Sequence, residues 1–248
     1  MRHLLLNVVL CVTVALIVNS CFISKVKDAV KYDATEILDL SKKHLTEIPP
    51  YVFEQKQLKV LRLFRNKLTE IPPEIAQLEN LEELYLGSND LRLLPAEIGQ
   101  LKNLKKLSVQ YNKLEELPTE IGDLTNLSQL WLRQNQLVEL PNSIGNLKAL
   151  ENLQLQYNQL KHLPTSFGSC INLQFLYLNR NNLQEISDDF ENLHNLKELY
   201  LSGAGPMTLI TEKLCNLRFL EVLEIDPFTQ LPPCLYVLQA NRLRIVVN

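Results

Sequence analysis

Leu81-Glu82-Glu83-Leu84-Tyr85-Leu86-Gly87-Ser88-Asn89-Asp90-Leu91 is the stretch from which the rest of the chain can be read. Its frame, Leu-x-x-Leu-x-Leu-x-x-Asn-x-Leu, occurs six times between Leu58 and Leu183, with Val109 in one leucine place. The asparagines are Asn66, Asn89, Asn112, Asn135, Asn158 and Asn181, and the interval from each to the next is constant. A fixed period of that size, kept by apolar and polar positions alike, marks an array of stacked coils rather than a conventional globular core.

Within each frame the Leu-x-Leu pair alternates with period two, as Leu130 and Leu132 do around Trp131. That is a short strand with one face buried. The chain then turns inward and leaves backbone groups in need of partners away from water. An asparagine amide carries two donors and an acceptor, so these six asparagines are expected to be structural, bonding the backbone of their own coil and of a neighbour.

The other half of each period reads Leu-Pro-x-x-Ile-x-x-Leu-x-Asn-Leu, or close to it. Pro49, Pro72, Pro95, Pro118, Pro141 and Pro164 cannot donate to a sheet ladder, so the arc they begin lies outside the sheet. Ile75, Leu78 and Leu81, or Ile121, Leu124 and Leu127, recur at three-residue spacing, which suits a helical or irregular turn with one apolar stripe. One coil is thus a strand and a convex return, and stacking pairs the strands in parallel along a curved, concave sheet.

These motifs resemble the leucine-rich repeat family, and the resemblance covers nearly the whole chain after its first thirty-odd residues. It implies an α/β solenoid, a curved horseshoe of about ten coils over residues 35–248. Ten strands about 4.8 Å apart would give an inner face of roughly 43 Å. The first coil is degenerate, with Lys43 in the asparagine place, as an open end allows. Beyond Leu183 the frame decays: Ser187 replaces the proline, Ala204 the asparagine, and Ser202-Gly203-Ala204-Gly205-Pro206 forms an unusual loop. Leu231-Pro232-Pro233 begins a last return, and 243–247 can supply a closing strand.

Residues 1–20 differ from all that follows. Arg2 precedes an apolar run from Leu4 to Val18, shorter than the ~20 residues a membrane span needs, and the segment reads as a signal peptide. Val18-Asn19-Ser20-Cys21 resembles the bacterial lipobox, which implies lipidation of Cys21, with 21–34 as a lipidated tether or N-terminal cap. Simple secretion and an uncleaved or cytosolic chain stand as alternatives. On the lipobox reading the protein is exported to the outer membrane or cell surface.

Net charge is −3 with no basic run or stripe, which leaves nucleic acid without a footprint. No metal-ligand spacing joins His3, His44, His162 and His194, and no phosphate loop, Ser-His-Asp order or Cys-x-x-Cys appears, so no cofactor, metal or catalytic residue is expected. Asn126-Leu127-Ser128 matches a glycosylation acceptor but contains a core leucine. Cys170 occupies a buried leucine slot, while Cys215 and Cys234 align in consecutive C-terminal returns, where they form either a bridge or two free thiols.

Alternation sends the residue between the strand leucines to the uncovered face: Asp39, Arg62, Tyr85, Ser108, Trp131, Gln154, Tyr177, Tyr200 and Glu224. Two positions on come Phe64, Gly87, Gln110, Arg133, Gln156, Asn179 and Ser202, and beside them Arg65, Tyr111, Gln134, Tyr157 and Arg180. Aromatics, amides and arginines of this kind enrich interface centres. The expected partner-binding set is Tyr85, Tyr111, Trp131, Arg133, Gln154, Tyr157, Tyr177, Arg180 and Tyr200.

The reading that follows is a monomeric, non-catalytic module that holds a protein or glycan on its concave face and is tethered to a bacterial membrane through its N-terminal lipid. The returns also resemble those of intracellular signalling scaffolds, and an open array end allows a self-assembling surface protein. Some bacterial repeat proteins carry a catalytic domain after the array; with only a short stretch past Ile225, none is expected here.

Overall fold

A computed structural model describes residues 36–206 and 209–248. The expected signal peptide (1–20) and the tether with Cys21 lie outside those residues.

Among the described residues, ten strands form one parallel sheet in strict chain order. They are β1 (Ile37–Asp39), β2 (Val60–Arg62), β3 (Glu83–Tyr85), β4 (Lys106–Ser108), β5 (Gln129–Trp131), β6 (Asn152–Gln154), β7 (Phe175–Tyr177), β8 (Glu198–Tyr200), β9 (Val222–Ile225) and β10 (Arg244–Val247). The register follows the sequence period, so that Arg62 faces Tyr85, Tyr85 faces Ser108 and Ser108 faces Trp131. The sheet is unclosed, and the array is a leucine-rich repeat solenoid.

Each proline holds extended backbone, as Pro118 does at φ −64° and ψ 150°, and aims the chain into a short 3-10 turn. Typical turns are Ala96–Gln100, Thr119–Asp123 and Asn142–Asn146. Where proline is missing, a hydroxyl does the equivalent work. Ser187 and Thr211 accept from the amides of Asp189 and Lys213, each at 3.3 Å, and so start the turns Asp188–Asn192 and Glu212–Asn216. The core is a continuous stack of leucine and isoleucine between sheet and turns, widened by Phe167 and Phe190 with ring centroids 5.7 Å apart.

The buried asparagines bond both coils they touch. Asn135 Nδ2 donates to Leu132 O at 2.9 Å in its own coil and to Val109 O at 3.0 Å in the preceding one, while Oδ1 accepts from Leu114 N at 3.0 Å. To bring each asparagine inward the residue before it takes a left-handed turn: φ lies between 53° and 58° at Arg65, Ser88, Tyr111, Gln134, Tyr157 and Arg180. Such backbone costs an L-residue about 1–2 kcal/mol, and the amide bonds offset it.

A second asparagine ladder runs along the outside, from the Leu-x-Asn-Leu phrase of the convex half. Asn80, Asn103, Asn126, Asn172 and Asn195 each donate to a carbonyl of the preceding coil, at 2.8 to 2.9 Å. Asn126, the glycosylation match, is therefore engaged by Lys102 O, and Leu127 beside it is fully buried.

The C-terminal end closes with an α-helix, Pro233–Asn241, and with β10. A disulfide joins Cys215, in the last 3-10 turn, to Cys234, in that helix, with Cα atoms 6.0 Å apart. Cys170 is buried in the core, and burial pushes its thiol up to about 11. Among the described residues no helix is long and apolar enough to cross a membrane.

Candidate functional site

The concave face is built by the strands' alternation, and its side chains sort into three groups. Toward the N-terminal end, Tyr85 and Trp131 lie two strands apart, where straight side chains would stand roughly 10 Å from each other. Their ring centroids are 6.4 Å apart, so the rings lean together over β4. Ser108 is covered beneath them and only 3% exposed. The sequence places Ser108 on the open face; the reach of two large neighbours over a small residue is what buries it. Arg62 adds its guanidinium over the Tyr85 ring at 5.9 Å.

Gly87 stands in the next column, where other coils carry Phe64, Gln110, Arg133 and Gln156. A hollow of about 400 Å³ lies beside it, bordered by Phe64, Arg65, Tyr85, Ser108, Gln110, Tyr111 and Trp131, and a Cβ at Gly87 would press on Gln110 at 3.2 Å.

At the centre, Arg133 sits between two tyrosines from adjacent coils. Its guanidinium carbon is 5.6 Å from the Tyr111 ring centre and 5.3 Å from that of Tyr157. Both rings project from left-handed residues, which turns them outward along the rim of the face. Gln154 lies in register between Trp131 and Tyr177.

Toward the C-terminal end Tyr177 and Tyr200 stack, with centroids 4.6 Å apart and planes 12° from parallel. Asn179 donates to Glu224 at 2.6 Å, tying that coil to one two strands on. Arg180 stands apart from all three groups, with no ring contact or ion pair among the described residues; its aliphatic stem lies beside Gly203.

One column is not anticipated by the sequence reading. The first residue of each strand also faces the concave side, and two carboxylates there hold tyrosines. Tyr85 Oη donates to Glu83 Oε2 at 2.7 Å and Tyr200 Oη to Glu198 Oε2 at 2.8 Å. Burial, together with these carboxylates, pushes both phenols up to about 12. Burial alone would raise Glu83, but the Tyr85 hydroxyl and the Lys106 ammonium at 3.2 Å outweigh it and hold the carboxyl below its usual range. The signal was available as the phrase Glu-Leu-Tyr at 83–85 and again at 198–200.

No group of three or more histidine, cysteine or acidic side chains capable of holding a metal occurs among the described residues. What the face offers is aromatic area, amides and guanidinium groups on a fixed backbone.

A parallel solenoid with one uncovered concave sheet defines the class. The sequence model for the leucine-rich repeat region matches residues 14–136 and 129–233, and the chain belongs to the leucine-rich repeat family. A leucine-rich repeat protein of Leptospira interrogans superposes with a TM-score of 0.72 at 36% identity, over 77% of this chain and 55% of that one. The ectodomain of an Arabidopsis thaliana membrane receptor kinase, solved in complex with Casparian strip integrity factor 2, gives 0.74 at 30% identity over 85% of this chain and 26% of that one. An internalin of Listeria monocytogenes shares the fold at 0.73 and 19% identity, with 85% of this chain and 60% of that one covered. The chain spans about half the length of the Leptospira relative and about a quarter of the Arabidopsis one. No curated protein matches the sequence.

Proposed function

We propose that this protein is a non-catalytic binding module that holds a protein partner on its concave face, works outside the cytoplasm, and is anchored through lipid on Cys21. The observation that carries the binding part is the uncovered aromatic run itself. Tyr85, Trp131, Tyr111, Tyr157, Tyr177 and Tyr200 are all partly exposed on one side of a rigid sheet, and rings held in this way bury area on a partner at low entropic cost. The Arabidopsis ectodomain, similar over most of this chain, is itself a complex with a partner. Export is supported by the Cys215–Cys234 bond, since such bonds persist in oxidising compartments.

The test is site-directed photo-crosslinking. A photoreactive phenylalanine analogue replaces Gln154 on the concave sheet or Lys148 on the convex side, and the full chain is expressed in its own host. A discrete adduct from position 154 alone, lost when Trp131→Ala is added, is the expected result. Trp131→Ala should leave melting close to wild type, because the ring rests on Tyr85 rather than in the leucine stack. Equal adducts from both positions, or none from 154, would overturn the concave-face reading. Lipid attachment is tested separately by the intact mass of the membrane fraction, where a chain beginning at an acylated Cys21 is expected and an unprocessed soluble chain would refute it.

A further inference from the structure

Resting on the concave-face reading, we propose that Arg133 is the receptor for a carboxylate of an acidic peptide segment in the partner, and that the hollow at Gly87 seats a large apolar side chain of the same segment. Four observations lead there.

The first is preorganisation. A guanidinium flanked by two rings at 5.6 and 5.3 Å has already lost its rotamer freedom; its Nε is buried, and its two terminal nitrogens, which carry no hydrogen bond or ion pair among the described residues, can make paired bonds. The second is the lack of an internal counter-charge. Ion pairs between coils elsewhere join Lys59 to Glu36, Lys105 to Glu82 and Lys113 to Asp90, each spanning one repeat. The positions one repeat before and one repeat after Arg133 are Gln110 and Gln156 instead. No ion pair engages Arg133 among the described residues.

The third is an accumulation of unmet polar atoms. Trp131 Nε1, Arg133 Nε, Asn152 Oδ1 and Gln156 Oε1 are buried side-chain atoms without a hydrogen-bond partner in the protein; these four belong to two adjacent coils at the middle of the face, while others of the kind lie at Ser41, Gln55 and Ser143. Buried polar atoms in folded proteins are rarely left without a partner, protein or water, so these mark places where one is to be sought.

The fourth is charge. The concave carboxylates near the hollow are spoken for: Glu83 accepts from Tyr85 and pairs with Lys106. The guanidinium groups of Arg65 and Arg133 are not paired among the described residues, so this half of the face is cationic within a protein of net charge −3. Electrostatic complementarity of that kind selects an acidic partner.

The two subsites have a fixed separation. Gly87 and Arg133 belong to coils two strands apart, roughly 10 Å, which an extended peptide crosses in about three residues. The fitting segment therefore carries a large apolar residue and an Asp or Glu about three positions from it.

The experiment uses the full chain and a phage-displayed library of random peptides. Enriched sequences should show that pairing. Their affinity should fall roughly tenfold or more in Arg133→Gln, fall in Gly87→Gln, which fills the hollow with the residue already present at 110 and 156, and weaken with added salt. Enriched peptides that lack acidic residues and bind Arg133→Gln as they bind wild type, yet are lost in Trp131→Ala, would overturn this inference and leave the concave-face reading standing. Enrichment of no peptide also overturns it, and the crosslinking at position 154 then decides the broader reading alone. If Arg133→Gln melts far below wild type, the salt dependence and Gly87→Gln decide: binding that neither changes overturns the assignment.

Discussion

Leu183 donates its amide to the carbonyl of Ala204 at 2.7 Å, and this bond replaces the one that an asparagine side chain makes in the regular coils. One coil earlier the equivalent amide, Leu160 N, is taken by Asn181 Oδ1 at 3.1 Å. At Ala204 the main chain itself moves into the asparagine's place. Gly203 N is held there by the carboxylate of Asp226 at 2.9 Å, and Gly205 passes so close to Leu183 that a Cβ would run into its carbonyl oxygen. The glycine-rich loop is thus a backbone substitute for an amide side chain. Gly205→Ala is expected to destabilise the protein by at least about 2 kcal/mol. Ala204→Asn, although it restores the repeat's consensus, should destabilise too, because the slot is full. Chemical denaturation of both variants checks this, and a stabilising Ala204→Asn would refute it.

Asn135→Ala removes three bonds at once: Leu114 N is left without a partner in the interior, while Val109 O keeps Asn112 Nδ2 and Leu132 O keeps Asn158 Nδ2 as a single donor each. The expected loss is about 1–3 kcal/mol. Asn103→Ala also removes a bond to the preceding coil, to Glu79 O at 2.9 Å, but at the surface, where water takes over. Its cost should be a few tenths of a kcal/mol, as for surface substitutions generally. Equal denaturation midpoints for the two variants would contradict the division between an inner and an outer ladder.

The coil, its inner asparagine and the concave columns are legible because each is fixed by period alone: residues one repeat apart must occupy equivalent places. What alternation gives is direction, and it does not give reach. Hence it assigns Ser108 to the open face although Tyr85 and Trp131 close over it, and it passes over Glu83 and Glu198 although they share a strand face with tyrosines it singles out. The outer asparagines are visible in the repeat as Leu-x-Asn-Leu, but their bond to the preceding coil is not, because an exposed amide between two core leucines is equally well satisfied by water. The pairing of Cys215 with Cys234 stays open in the sequence for a geometric reason, since the separation of two returns across an irregular end is not a function of spacing.

Tyr85 and Tyr200 give the protein an alkaline signature. Burial and the facing carboxylates of Glu83 and Glu198 raise both phenols to about 12 in the folded chain, against roughly 10 when unfolded. A group whose folded value is raised contributes stability that is complete below the unfolded value and disappears as pH rises through the folded one. Stability should therefore decline between about pH 10 and 12. Phenolate absorbance should show a late component near the top of that window, smaller in Tyr85→Phe and in Tyr200→Phe. Glu83→Gln removes the carboxylate from Tyr85 and should bring its titration earlier; a late component unchanged in Glu83→Gln would show that the hydrogen bond contributes nothing.

The Cys215–Cys234 bond closes a span of 19 residues that includes β9 and ties the last 3-10 turn to the C-terminal helix. Closing a loop of that size removes unfolded-state freedom worth about 3 kcal/mol in the chain-entropy picture. An array stabilised by neighbour-to-neighbour contacts unravels most readily where a coil has only one neighbour, and β10 is such an edge. Reduction should accordingly do more than lower the melting temperature. Amide exchange should accelerate first in 222–247 and the Pro233–Asn241 helix, while the coils around Asn112 and Asn135 stay protected. The paired Cys215→Ser and Cys234→Ser variant should reproduce that pattern without reductant. Uniformly faster exchange along the whole chain would mean that the bond stabilises the array as one cooperative unit and is not a local clasp on its open end.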